Sequence, residues 1–235
     1  MDFILDGFIQ ALILLINHDS ETYSCIFVTL QASTISMLFS LLIGLPCGFL
    51  LGYSRFPGHK TIRTFVNTLL ALPTVFIGLM VYAFLTRHGP LGEWGLLFSI
   101  SGIAIGQTIL ALPIVIALTA SAIESVDPDL KLTLISLGAN RRQLALTTLQ
   151  EVRWAIIAAV MTAYGRVMTE VGISMMIGGN IKWHTRTITT AIALETNQGN
   201  FAKGIALGLV LLFIALLANY SVVFFNHASK LHGKS

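Results

Sequence analysis

The sequence predicts an all-α membrane protein: five transmembrane helices, an interfacial helix ahead of them, and a short cytoplasmic helix between the third and fourth. Three observations lead there. Of the 235 residues, 55% are hydrophobic and only 11% are charged, whereas a soluble domain carries roughly 25% charged residues. Mean hydropathy is +0.81, so lipid is the solvent that suits the chain. Five stretches are long and apolar enough to span, at residues 24–53, 64–85, 95–123, 155–177 and 201–225, since a span needs about 20 apolar residues. No low-complexity segment or Pro/Ser-rich linker divides the chain, so one membrane domain covers residues 1–235.

Ahead of the first span, residues 3–16 are too short to cross a bilayer. Asp6, Gln10 and Asn17 share one helical face and Phe8, Ile9, Leu12, Leu15 and Ile16 lie elsewhere, the pattern of a helix in the membrane interface. Asp2 and Asp6 stand where a secretory signal needs Lys or Arg. The first span carries Gly44, Gly48 and Gly52, the third Gly102 and Gly106, and the fifth Gly204 and Gly208. Small residues at four-residue spacing let helices approach closely, within one subunit or between two. Pro46, Pro73 and Pro113 fall inside predicted spans, where each removes a backbone hydrogen bond and should bend its helix. Cys25 and Cys47 share the first span, some 33 Å apart at 1.5 Å per residue, too far to pair within the chain.

Orientation follows from Lys and Arg. Nine of them (Arg55, Lys60, Arg63, Lys131, Arg141, Arg142, Arg153, Lys230, Lys234) fall in one set of loops and four (Arg87, Lys182, Arg186, Lys203) in the other. Cytoplasmic loops carry the excess, which puts the N-terminus outside, the C-terminus inside and the long loop 124–153 in the cytoplasm. The net charge of +3 comes with no Lys/Arg block or basic stripe, so nucleic acid is not an expected partner.

Loop 124–153 carries the most information. Asp127 is a good N-cap, Pro128 suits the first helical position and Asp129 favours the positive end of the helix dipole. Leu130, Leu134 and Leu137 recur at helical spacing, Gly138 can take the left-handed conformation that ends a helix, and Asn140 can cap the next one from Arg141. Two short helices joined at Gly138, one with an apolar stripe, need a partner.

This run resembles the coupling loop of ABC importer permeases, whose consensus is Glu-Ala-Ala, three residues, Gly, nine residues, then Ile-x-Leu-Pro. Gly138 with Ala139 and the Asp-Pro-x-Leu lead-in from Asp127 match it. Leu132, Thr133 and Leu134 depart from Glu-Ala-Ala, and Gln150 and Glu151 from Leu-Pro. The resemblance implies a MetI-like fold in a bacterial inner membrane and a pathway alternating between inward- and outward-open states. It also implies three partners: a separate cytoplasmic ATPase, an extracytoplasmic binding protein and a second copy of the chain. Asp127, Pro128, Leu130, Leu134, Leu137, Gly138, Ala139 and Arg141 would dock on the ATPase. The stretch from Thr169 to Thr196 is similar to the permeases of bacterial tungstate importers, and more loosely to those for molybdate and sulfate, which implies an oxyanion substrate.

In the fourth span Arg166 and Glu170 lie four residues apart on one face, with Thr162, Gly165, Thr169 and Ser174 on or near it. Either the pair neutralises itself between packed helices, or Arg166, Thr169, Glu170 and Ser174 line the pathway and Arg166 offsets a dianion. The turn Gly178–Gly179–Asn180 is expected outside, where a delivering protein would approach. No enzyme motif or cofactor site is expected. Gly199 to Gly204 spells GxxxxG, but Ile205 stands where a P-loop needs Lys. The six His are scattered and build no metal site. A stand-alone channel or secondary carrier is the competing class. A carrier usually shows inverted repeats and ionisable residues in several spans, and here one span holds the charged pair.

Overall fold

The structure, a computed structural model, describes residues 2–232, with side chains within 5–220. Lys234 and the side chains of Phe225, Lys230 and His232 lie outside the described residues, and so does that part of the orientation argument.

The chain is helical throughout its ordered elements. Helix α1 (Asp2–Ile16) leads into α2 (Ser20–Tyr53), then α3 (His59–Leu69) and α4 (Thr74–Leu85). A single 3₁₀ turn, Gly92–Trp94, precedes α5 (Ile100–Glu124), α6 (Pro128–Ser136) and α7 (Arg141–Met168). Helices α8 (Gly172–Gly178), α9 (Ile188–Asn197) and α10 (Phe201–His232) complete it. Among the described residues, four helices, α2, α5, α7 and the part of α10 up to Tyr220, are long and apolar enough to cross a membrane, and α3 with α4, bent by 95°, makes a fifth if the pair is counted as one span.

The centre of the bundle is the pairing of α2 with α5. Along α2, Ser36, Ser40, Gly44, Gly48 and Gly52 recur every four residues and face α5. A Cβ on Gly44 would lie 2.8 Å from Val115, on Gly48 2.7 Å from Thr119, and on Gly52 2.8 Å from Ile123. These pairs share one sequence offset, so the two helices run parallel in constant register. At the other end, Thr108 Oγ1 donates to the Ser36 carbonyl at 3.3 Å and Ser40 Oγ to the Thr108 carbonyl at 3.4 Å. The glycine triplet therefore serves packing within one subunit.

Two predicted spans are broken. The second stops at Leu69 because Pro73 cannot continue it and disfavours helix at Leu72; Pro73 becomes the N-cap of α4. Pro46 and Pro113 are carried inside continuous helices. The fourth span ends at Met168 and restarts at Gly172. The third begins at Ile100, where the Ser99 hydroxyl caps Gly102 N at 3.0 Å. The first begins at Ser20, capped by Asp19, which accepts from Thr22 N at 2.8 Å and the Thr22 hydroxyl at 2.7 Å. Helix α1 is a separate helix at the position where the sequence predicts an interfacial one. It docks on α10, where Ala11 packs with Ala206 and Val210 and a Cβ on Gly7 would meet Ile205 at 2.6 Å.

Gly48→Ala should lower the thermal stability of the detergent-purified protein by about 1–3 kcal/mol, the range for overpacking. Gly208→Ala, where a Cβ meets nothing within 4 Å, should be neutral or slightly stabilising. Melting curves of the two variants check the contrast.

Candidate functional site: a polar helix face and a cytoplasmic elbow

Helix α7 exposes Glu151, Ala155, Ala158, Thr162, Arg166 and Thr169 along one stripe, with no large apolar side chain among them. Neighbouring helices differ. Helix α2 exposes Leu38, Phe39 and Leu42, α4 exposes Phe76, Leu79 and Phe84, and α10 exposes Leu212, Phe213 and Leu216, as lipid-facing helices do. Arg166 lies about 20 Å along the helix from Arg153, well inside a hydrocarbon core about 30 Å thick.

Arg166 and Glu170 form an ion pair, Nη1 to Oε2 at 3.1 Å, in which the Arg166 side chain is 47% exposed and that of Glu170 only 2%. The pair therefore has an inner and an outer member. Glu170 sits in the break between α7 and α8. Its Oε1 accepts from Ile173 N at 3.3 Å, and its carbonyl accepts from the Thr189 hydroxyl at 2.9 Å and the Ser174 hydroxyl at 3.3 Å. One buried residue thus joins α7, α8 and α9. Thr162 and Thr169 donate their hydroxyl protons to carbonyls of their own helix, at 2.9 and 3.0 Å. The uncommitted donors on the stripe are those of Arg166, whose guanidinium has five N–H groups and only its Nη1 on Glu170. Ser174 was expected beside them. It is fully buried, because α8 turns it inward onto the Glu170 carbonyl, so it holds the break rather than lining the stripe.

At the far end of α7 lies the elbow. Asp127 Oδ1 accepts from Asp129 N at 2.9 Å and Pro128 opens α6. Gly138 takes φ +84°, with Gly138 N bonded to the Ile135 carbonyl and Ala139 N to that of Leu134. Asn140 and Gln143 cap each other reciprocally at 2.8 and 2.9 Å, and α7 runs unbroken from Arg141. The second helix of the elbow is therefore the fourth span itself. The apolar stripe sits differently from its expected phase. Leu130 and Leu134 are half-buried, whereas Leu132, Ile135 and Leu137 are the exposed members, Leu137 by 78%. Counting the helix from Pro128 places Leu132 and Ile135 together, a signal present in the sequence. No residue of α6 is buried. Lys131 holds the helix to the bundle, its Nζ 5.1 Å from the Tyr53 ring, which stacks on Phe49. Nearby, Arg63 of α3 reaches Ser121 Oγ at 2.8 Å and Glu124 at 3.2 Å.

At the opposite end, Glu21 pairs with Lys182 at 2.9 Å and Arg186 at 2.5 Å. Arg186 also donates from Nε to Asn180 Oδ1 at 3.2 Å, so the Gly178–Gly179–Asn180 turn is tied to the start of α2. Burial tends to raise the Asp19 carboxyl pKa, but the Thr22 hydrogen bonds, with Lys203 and Lys182 behind them, outweigh it and hold it below its usual value.

Residues 44–230 match the family described as binding-protein-dependent transport system inner membrane component. A Campylobacter jejuni protein named tungstate uptake system permease is 51% identical over 220 residues, 94% of this chain and 92% of that one. A protein of the same name from Peptoclostridium acidaminophilum is 34% identical, covering 93% and 96%. Among solved structures, the inward-facing MetNI methionine ABC transporter aligns with TM-score 0.73 and 20% identity over 88% of this chain and 95% of that one, a likeness of fold.

Arg166→Ala should destabilise the protein by about 1–3 kcal/mol, because it strands a buried carboxylate. The double variant Arg166→Met with Glu170→Gln should recover most of that loss, since removing both charges removes the mismatch. Thermal unfolding of the two variants reads the difference.

Proposed function

The chain belongs to the family of binding-protein-dependent transport system inner membrane components, and from that premise we propose that it is the permease of an ATP-driven tungstate importer. The 51% identity to a tungstate uptake permease across almost the whole chain carries the substrate assignment. Two copies of the chain enclose the pathway, since five spans are few to do so alone and a twofold axis supplies the missing wall. ATP is hydrolysed on a separate cytoplasmic subunit, and a binding protein delivers the anion outside. The N-terminus lies outside and the elbow in the cytoplasm.

The half-exposed guanidinium of Arg166 supports the route. A charge facing hydrocarbon costs ~2.5–3.5 kcal/mol, so the α7 stripe turns toward the second copy and water. There Arg166 offsets the charge of the passing dianion. Glu170 fixes its guanidinium and limits the net positive potential, so that the anion is not trapped. Asp127, Pro128, Gly138, Ala139 and Arg141 shape the elbow; Leu130 and Leu134 steady α6; Leu132, Ile135 and Leu137 meet the ATPase. Closure of the ATPase moves the elbow, and the unbroken α7 carries that movement to Arg166.

Uptake of labelled tungstate into cells carrying the full system tests the proposal. Arg166→Ala should reduce uptake by about tenfold or more, equivalent to at least ~1.4 kcal/mol, while binding by the delivery protein is unchanged. Normal uptake would assign Arg166 to packing, and uptake of a cation or amino acid in place of tungstate would overturn the substrate. Gly138→Val should uncouple uptake from ATP hydrolysis. A Cβ meets nothing within 4 Å there, but the left-handed backbone costs an L-residue roughly 1–2 kcal/mol, more when β-branched. Coupled transport at the wild-type rate would contradict the elbow's role. Mass measurement should find two copies of the chain per complex.

A further inference from the structure

We propose that the exposed face of α3 is the wall of the cytoplasmic half of the anion pathway, with Lys60, Thr61, Thr64 and Thr68 as the groups the oxyanion passes on its way out. The proposal rests on the permease reading above and extends the pathway to a second helix.

The direction of α3 follows from its contacts with α5. Arg63 bonds Ser121 and Glu124 at the end of α5, whereas Val66, one turn further, packs among Ala117 and Ala120, one turn earlier on α5. Helix α3 therefore climbs back along α5 from the elbow end to the 95° bend at which α4 begins. His59 anchors its start, with Nε2 2.6 Å from the Leu51 carbonyl. His59 and Val66 are buried and Arg63 is half-buried, so one face is committed to α2 and α5.

The exposed side carries a polar stripe with Phe65 and Ile62 along one edge. Lys60, Thr64 and Thr68 recur at four-residue spacing, Thr61 lies beside them, and Ile62 and Phe65 flank the stripe. Among the described residues Lys60 has no ionic partner and the Thr61 and Thr64 hydroxyls are not donated within the protein, whereas Thr68 Oγ1 donates to the Thr64 carbonyl at 2.9 Å and offers an anion its exposed position rather than a free donor. A face with a lysine and undonated hydroxyls is disfavoured against hydrocarbon, so it turns to water, as the α7 stripe does. Its chemistry suits a tetrahedral oxyanion leaving the membrane: hydroxyls replace hydration water, and one unpaired ammonium near the cytoplasmic end draws the anion outward. Together the α7 and α3 stripes give the pathway a cation at depth and another at its exit.

Thiol accessibility tests this in a background with Cys25→Ala and Cys47→Ala. Thr64→Cys, Thr68→Cys and the lipid-facing control Leu212→Cys are each reconstituted with the ATPase and binding protein. Each is then treated from the cytoplasmic side with a membrane-impermeant anionic methanethiosulfonate. The thiols at 64 and 68 should react, the control should not, and tungstate under turnover should slow the reaction several-fold. Unreactive thiols, or reaction that tungstate leaves unchanged while the vesicles transport it, would overturn the α3 wall and leave the Arg166 pathway standing. If the wild-type vesicles carry no tungstate, the substrate assignment fails. The thiols at 64 and 68 then decide for α3 through the oxyanion the vesicles do carry, molybdate or sulfate: slower reaction in its presence supports the wall, and no reaction or no slowing overturns it. Thr64→Val with Thr68→Val should reduce uptake several-fold and Thr64→Ser with Thr68→Ser should restore it; normal uptake in the valine pair would contradict the role of the hydroxyls.

Discussion

Hydrocarbon does not tolerate an unpaired charge, and the outward faces of the helices follow from where charged groups are allowed to point. Helices α2, α4 and α10 turn leucine and phenylalanine outward. Helix α7 turns outward a stripe of alanine and threonine with Glu151 and Arg166, and α3 turns outward Lys60 and three threonines beside Ile62 and Phe65. Both faces are poorly suited to lipid, and in the proposed dimer a second copy of the chain, with water between, accommodates both.

The packing at the centre makes this division possible. Because the parallel α2–α5 pair interlocks through Ser36, Ser40 and the three glycines, α5 can be surrounded by α2, α3, α4, α7 and α8. The helices around it are then free to present an outer face. Glu170 performs the corresponding task at the break in the fourth span, holding α7, α8 and α9 with one carboxylate and one carbonyl. Since α7 is continuous from the elbow to that staple, a displacement at one end reaches the other through a single helix. Lys131 on Tyr53 is the short link that keeps α6 aligned with the bundle.

Much of this layout was legible in the chain because it rests on local rules. Asp127-Pro128, Gly138 and the Asn140–Gln143 cap are short-range chemistry, and each appears where the sequence puts it. The Arg166–Glu170 pairing follows from four-residue spacing. The breaks were not legible to the same degree. Pro46, Pro73 and Pro113 look alike in sequence, yet only Pro73 ends a helix, and which proline is absorbed depends on tertiary neighbours. The start of α8 depends on Glu170 capping Ile173 N, and the inward turn of Ser174 follows from it. The phase of α6 depends on which leucines reach the bundle, and hydropathy alone does not separate Leu130 and Leu134 from Leu132 and Ile135. The polar face of α3 was hidden because its residues fall where a loop and a span were expected to meet.

In the proposed dimer the polar faces, and not the apolar ones, meet across the axis of two identical subunits. Pulsed electron–electron resonance on the assembled transporter measures this directly, with a nitroxide attached at Thr162 of α7 in one sample and at Leu212 of α10 in another, on a background free of Cys25 and Cys47. The Thr162 labels should be the closer pair across the dimer, and their separation should change when ATP binds to the partner subunit. Leu212 labels closer together than those at Thr162 would place the α7 stripe away from the axis and contradict the pathway drawn along it.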